Sequence, residues 1–119
     1  ILQMNLGRVG GLLEAKKIAA MAEVKQAQIA PHLYCGPIVA AANIQIAAAS
    51  PNFLILESIG RFDGPYMSCV KGGIEWEDGY VLPSRAPGLG LGLDDAAIAA
   101  LPYEGRELHL TLDTAHVTP

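Results

Sequence analysis

Three polar residues close three apolar runs: Asn5 ends "ILQMN", His32 ends "AQIAPH" and Glu57 ends "FLILE". They are 27 and 25 residues apart. An imidazole changes charge near neutral pH, and a carboxylate and an amide beside it can hold it in one tautomer. Taken alone, His32 fits a satisfied structural histidine better than a catalytic one. The triplet is what brings an acid/base role forward, provided the fold carries the three ends to one place.

The intervening residues describe elements that would do so. "LGRVGG" (6–11) reads as a turn, and "LLEAKKIAAMAEVKQ" (12–26) then has helical periodicity. Its apolar stripe is Leu12, Ala15, Ile18, Ala19 and Ala22, with Glu14, Lys16, Lys17 and Glu23 mostly off it. A strand at 27–32 follows. Pro37 sits where a first helical turn tolerates proline and opens "IVAAANIQIAAAS", which Pro51 and Asn52 stop. Residues 53–57 make a third strand. The order strand, helix, strand, helix, strand with short connections predicts an α/β fold with parallel pairing through right-handed crossovers. In that arrangement all three polar ends emerge at the carboxyl edge of the sheet, where α/β proteins usually place their chemistry. The second helix is apolar nearly all round and rich in alanine, so it needs cover from another part of the parent protein or another subunit.

Beyond Glu57 the pattern changes. "IEWEDGYVLP" alternates around an "EDG" turn, "DDAAIAAL" is a short helix with Asp94 as its cap, and "ELHLTLD" reads as an exposed strand. Residues 1–60 and 61–119 are therefore expected to be two units. "GLGLG" (88–92) lacks the Lys-Ser/Thr of a phosphate loop, and "GRVGG" lacks a dinucleotide-binding spacing, so both read as structural glycines. Nothing pairs His109 or His116.

The 119 residues are 51% apolar and 17% charged, with a net charge of −4. That balance excludes disorder and a nucleic-acid footprint. Cys35 and Cys69 fit neither a metal spacing nor a disulfide framework and read as reduced thiols of a cytoplasmic protein. No run reaches transmembrane length, so no membrane partner is expected. The chain opens on Ile1, inside an apparent strand, which suggests a fragment.

The segments "LGRVGGLLEAKKIAAMAE", "IAPHLYCGPIVAAANIQIAAASPNFLILE" and "EDGYVLPSRAPGLGLGL" together resemble the enolase superfamily. The subgroup is mandelate racemase/muconate lactonizing enzyme, and the resemblance is greatest to galactonate-dehydratase-like acid-sugar dehydratases, over residues 1 to 108. It implies the last three strands of a TIM-type (β/α)7β barrel, plus a carboxyl-terminal segment returning to a capping domain. It also implies His32 as acid/base catalyst and Glu57 as the carboxylate that contacts substrate and helps stabilise an enediolate. Asn5 stands where the family usually has an aspartate bonded to the histidine, and Met4 where proline is common. Asn5 is expected to accept a hydrogen bond from the imidazole N–H without neutralising a charged ring. The comparable change in serine proteases lowers the rate about 10⁴-fold.

The reaction so implied is Mg2+-dependent β-elimination of water from a sugar acid. The family's magnesium ligands and lysine motif lie on strands this sequence does not supply, and a whole barrel takes about 250 residues. The chain is thus not expected to turn over substrate alone. A racemase or cycloisomerase of the same superfamily is the nearest alternative. A non-catalytic module or degenerate relic, self-associating as a homo-oligomer through helix 38–49 and strand edges at 1–5 and 53–57, is the alternative of another class. Asn5→Asp separates them: the enzyme reading predicts restored or improved activity once the missing part is supplied, and the module reading predicts none.

Overall fold

The structure, a computed structural model, describes residues 1–58 and 64–102. Its first part is organised by three extended segments. Leu2 bridges Ile29 and Ile29 bridges Phe53, both in parallel, so the middle segment lies between the other two. Leu2 N–H donates to Gln28 O, Ala30 N–H to Leu2 O and His32 N–H to Met4 O on one side. Ile29 N–H donates to Asn52 O and Leu54 N–H to Ile29 O on the other. The parallel order matches the expectation, but full strands do not form. Each junction is a single bridge. Pro31 removes the backbone donor that would continue the pairing with the third segment, while on the first segment's side the bonds run on to His32.

The expected turn at 6–11 is instead a one-turn helix, α1 (Leu6–Val9). Asn5 makes the difference: it is extended, and its Oδ1 accepts from Gly7 N–H, the N-cap geometry. Gly10, at φ 102°, closes the helix with its N–H on Leu6 O.

Helix α2 (Leu12–Val24) buries Ala15, Ala19 and Ala22, the helical spacing that turns one stripe to the core. Ile18 packs at the edge of that core. Leu12, assigned to the same stripe by periodicity, is 41% exposed. Asn52 Nδ2 donates to Ala19 O at 3.0 Å and to Ala27 O at 2.9 Å, tying the third segment to this helix.

Helix α3 (Pro37–Ala48) buries Pro37, Ala40 to Ile44 and Ile46. Its small side chains let it sit against α1 and α2, and the core joins Met4, Leu6, the three α2 alanines, Ile29, Ala42 and Ile46. Part of the cover for α3 comes from this same chain. Gly73, Ile74, Leu82, Ser84 and Leu89 face Ala41, Ile44 and Gln45 across a small void. Leu89 also reaches the core.

The second part is built from short pieces: α4 (Pro65–Ser68), β1 (Val70–Lys71), β2 (Glu75–Glu77), β3 (Tyr80–Leu82), β4 (Gly92–Leu93) and α5 (Asp95–Ala99). β2 and β3 form an antiparallel hairpin whose Asp78-Gly79 turn has both residues at positive φ, the twist such hairpins favour. β1 pairs antiparallel with β4, Val70 opposite Leu93. The glycines of "GLGLG" serve this path. Gly90 lies at φ +72°, and a Cβ there would collide with Ser84. Asp94 caps α5 through Ala97 N–H at 3.0 Å and meets Lys71 Nζ at 3.3 Å. The backbone bond first, and the lysine second, hold its carboxyl below the usual carboxylate range. The expected strand at "ELHLTLD", with His109 and His116, lies outside the described residues. Among the described residues no helix is long and apolar enough to cross a membrane.

Candidate functional site

Asn5 and His32 each lie three residues beyond a bridged residue of their segments, and Glu57 lies four beyond its own. Parallel pairing therefore delivers all three to one edge, as the spacing predicted. Asn5 Nδ2 is 2.9 Å from His32 Nδ1, and His32 Nε2 is 3.9 Å from Glu57 Oε2. The imidazole thus has the amide at one nitrogen and the carboxylate near the other. The His32 side chain is 36% exposed and that of Glu57 41%, so a solute can reach both.

The backbone of the site is held more firmly than its exposure suggests. His32 N–H is bonded to Met4 O, and His32 O accepts from Nδ2 of Asn43 on α3 at 2.9 Å. Asn43 is completely buried. Leu33, also buried, points its N–H at Glu57 Oε2 at 2.9 Å. Gln3 Nε2 donates to the same oxygen at 3.1 Å. Two donors on one carboxylate oxygen fix the acid's position.

The hydrogen bond between Asn5 and His32 runs opposite to the expected direction. Oδ1 of Asn5 is engaged by Gly7 N–H at 2.9 Å, so its Nδ2 faces the ring. An amide nitrogen only donates, and Asn5 is therefore a donor to His32. Its second amide hydrogen is directed at Cys35 Sγ, 3.3 Å away. Both cysteines are free thiols.

Gln3 and Cys35 were not singled out from sequence. Gln3 carried a signal, being two residues before Asn5 in an extended run, where alternate side chains share a face. Cys35 carried none, because its approach depends on the turn that follows Leu33.

A magnesium ion takes near-octahedral oxygen ligands. Among the described residues there is no group of three or more His, Cys, Asp or Glu able to hold a metal, and Glu57 is the one carboxylate in this cluster. The residues here do not fit a magnesium centre. A separate cleft of about 670 Å³ opens between Ile44, Phe53 to Leu56 and the hairpin residues Trp76 and Asp78 to Val81, and none of the three site residues lines it.

Residues 1–97 match the Enolase C-terminal domain-like family. A D-galactonate dehydratase of Ralstonia pickettii is 38% identical over 104 residues, 82% of this chain and 27% of the relative. A solved structure from Labrenzia alexandrii, described as a candidate mandelate racemase/muconate lactonizing enzyme, is 65% identical with a TM-score of 0.82. The match covers 92% of this chain and 28% of that one. An enolase from Pantoea ananatis solved with bound D-gluconate and Mg is 31% identical, TM-score 0.78, over 87% of this chain and 25% of that one. The chain thus spans about a quarter of the length of the proteins it matches.

Proposed function

The chain belongs to the Enolase C-terminal domain-like family and to the mandelate racemase subgroup of the enolase superfamily, and from that premise we propose that it is the carboxyl-terminal part of an acid-sugar dehydratase. The three extended segments are the last three strands of a (β/α)7β barrel, and residues 61–119 return towards a capping domain. The magnesium of such an enzyme would be held by residues outside those described.

The observation that carries this reading is the convergence of Asn5, His32 and Glu57 at one edge, with the ring between amide and carboxylate. Dehydration of a sugar acid breaks the C–H bond next to the carboxylate, and that proton passes to a base. The electrons form a C=C bond, and the neighbouring C–O bond breaks as its oxygen leaves in water. The resulting enol becomes a 2-keto-3-deoxy acid. His32 is the acid/base partner of the departing hydroxyl. Glu57, held by Leu33 N–H and Gln3, contacts a substrate hydroxyl. A general acid or base placed in this way typically contributes about 10²–10⁴-fold in rate.

The test is to supply the full-length protein with Mg2+ and a panel of five- and six-carbon sugar acids, and to follow 2-keto-3-deoxy acid. Formation of that product by the wild type, and its loss in His32→Ala, is the expected result. Absence of any keto acid product across the panel overturns the reading. The similarity to the Labrenzia structure favours one alternative, an isomerase. Exchange of the α-hydrogen with solvent deuterium, without loss of water, would establish it.

A further inference from the structure

The Asn5 amide is held in one orientation by three bonds: Oδ1 accepts from Gly7 N–H, and Nδ2 is directed at both His32 Nδ1 and Cys35 Sγ. Turning the amide over would set its NH2 against the Gly7 N–H and uncap α1. The ring nitrogen that faces an amide N–H must offer a lone pair. We infer that Asn5 locks neutral His32 in the Nε2–H tautomer, so that the histidine meets substrate as a hydrogen-bond donor and not as a base.

An aspartate at position 5 would do the opposite. A carboxylate accepts from Nδ1–H and leaves the lone pair on Nε2, free to take a proton. With asparagine, Nε2 carries the proton and is directed outward, 3.9 Å from Glu57 Oε2. Surrender of that proton by a doubly protonated ring would leave the other on Nδ1, against the Asn5 amide hydrogen. Proton transfer at Nε2 is therefore coupled to a turn of the amide and loss of the Gly7 cap. In the proposed dehydration, on which this role rests, the Nε2–H of His32 faces the oxygen of the departing hydroxyl, the proton it gives that oxygen leaves together with the turn of the amide, and the base that removes the α-proton lies elsewhere. Asn5 is the positioning residue that sets this polarity, and Gly7 and Cys35 set Asn5.

The test reads the proton directly. Full-length protein labelled with 15N-histidine is studied by long-range proton–nitrogen correlation at alkaline pH, where imidazoles are neutral, with His32 assigned by its disappearance in His32→Gln. A pyridine-type nitrogen at Nδ1 and a protonated Nε2 are expected. Asn5→Asp should exchange the two. Should Asn5→Asp fail to fold, Asn5→Ser keeps a capping oxygen, removes the amide donor, and should abolish the preference. A protonated Nδ1 in the wild type, or a proton that stays on Nε2 in either variant, overturns the inference. These readouts do not depend on turnover. A locked tautomer in a protein without dehydratase activity would remove the proposed function and leave the lock standing, whereas dehydration with a protonated Nδ1 would do the reverse.

Discussion

Residues 1–58 supply every buried apolar side chain among the described residues except Val70, while residues 64–102 leave Tyr66, Trp76, Tyr80, Leu93 and Ile98 substantially exposed. The first region is held by packing. Alanines of α2 and α3 close on Met4, Leu6 and Ile29, and buried Asn43 pins the backbone of His32. The second region is held by backbone geometry, through a two-residue hairpin turn, positive-φ glycines and one capping carboxylate. Packed elements position side chains within the tolerance that chemistry needs. Asn5, His32 and Glu57 all belong to the packed region. The second region covers part of α3 and contributes none of the three.

If that division is right, substitutions in the two regions should differ in kind. The largest effect is expected at the site. In the full-length protein, His32→Ala should lower turnover of a sugar acid by roughly 10²–10⁴-fold while leaving the melting temperature close to that of the wild type. A loss of folding with that substitution would make His32 a packing residue and break the comparison.

Next in size is the centre of the packed region. Ile29 is completely buried and bridges both neighbouring segments, so Ile29→Ala should destabilise by about 2–5 kcal/mol in urea unfolding. Val70→Ala, at the one buried position of the second region, should have a clearly smaller effect. Equal midpoint shifts for the two would show that the second region has a core of comparable weight.

A backbone effect follows. Gly90→Ala introduces both a strained φ and a collision with Ser84, and should destabilise by about 1 kcal/mol or more. Adding Ser84→Gly should return part of that loss by removing the collision and none of the φ strain. Full recovery in the double variant would mean that φ at residue 90 is not a constraint.

The smallest effect concerns Asp94. Its carboxyl is held below the usual range in the folded chain, so its contribution is present above the ordinary carboxylate range. It is lost as pH falls through that range and then through the lowered folded value. Asp94→Ala should therefore lower the melting temperature slightly at neutral pH, and the two proteins should converge in acid. A difference that persists unchanged in strong acid would rule out the charged cap.

Much of this was legible in the sequence because it rests on local chemistry. Pro37 opening α3, Asp94 capping α5 and Asp78-Gly79 turning a hairpin are each written in two or three residues. The convergence of Asn5, His32 and Glu57 was legible from parallel crossovers and spacing. Two things were not. Regular strands were expected where single bridges form, and towards the third segment Pro31 ends the ladder from within a run whose apolar pattern is intact. Asn5 was expected to accept from the imidazole, but its oxygen is already committed to Gly7, at the start of a helix that the glycines of "GRVGG" concealed. The direction of one hydrogen bond, and with it the tautomer of His32, depends on a cap that periodicity does not reveal.

The measurement that tests the central claim most directly is a crystal structure of the full-length protein with Mg2+ and a sugar acid bound. The account predicts a substrate hydroxyl within hydrogen-bond distance of His32 Nε2, a contact from Glu57 to the same molecule, and Asn5 still bonded to Gly7 N–H. A sugar acid bound productively at the metal with no contact to His32 or Glu57 would contradict it, and would leave the three converging side chains as structure without chemistry.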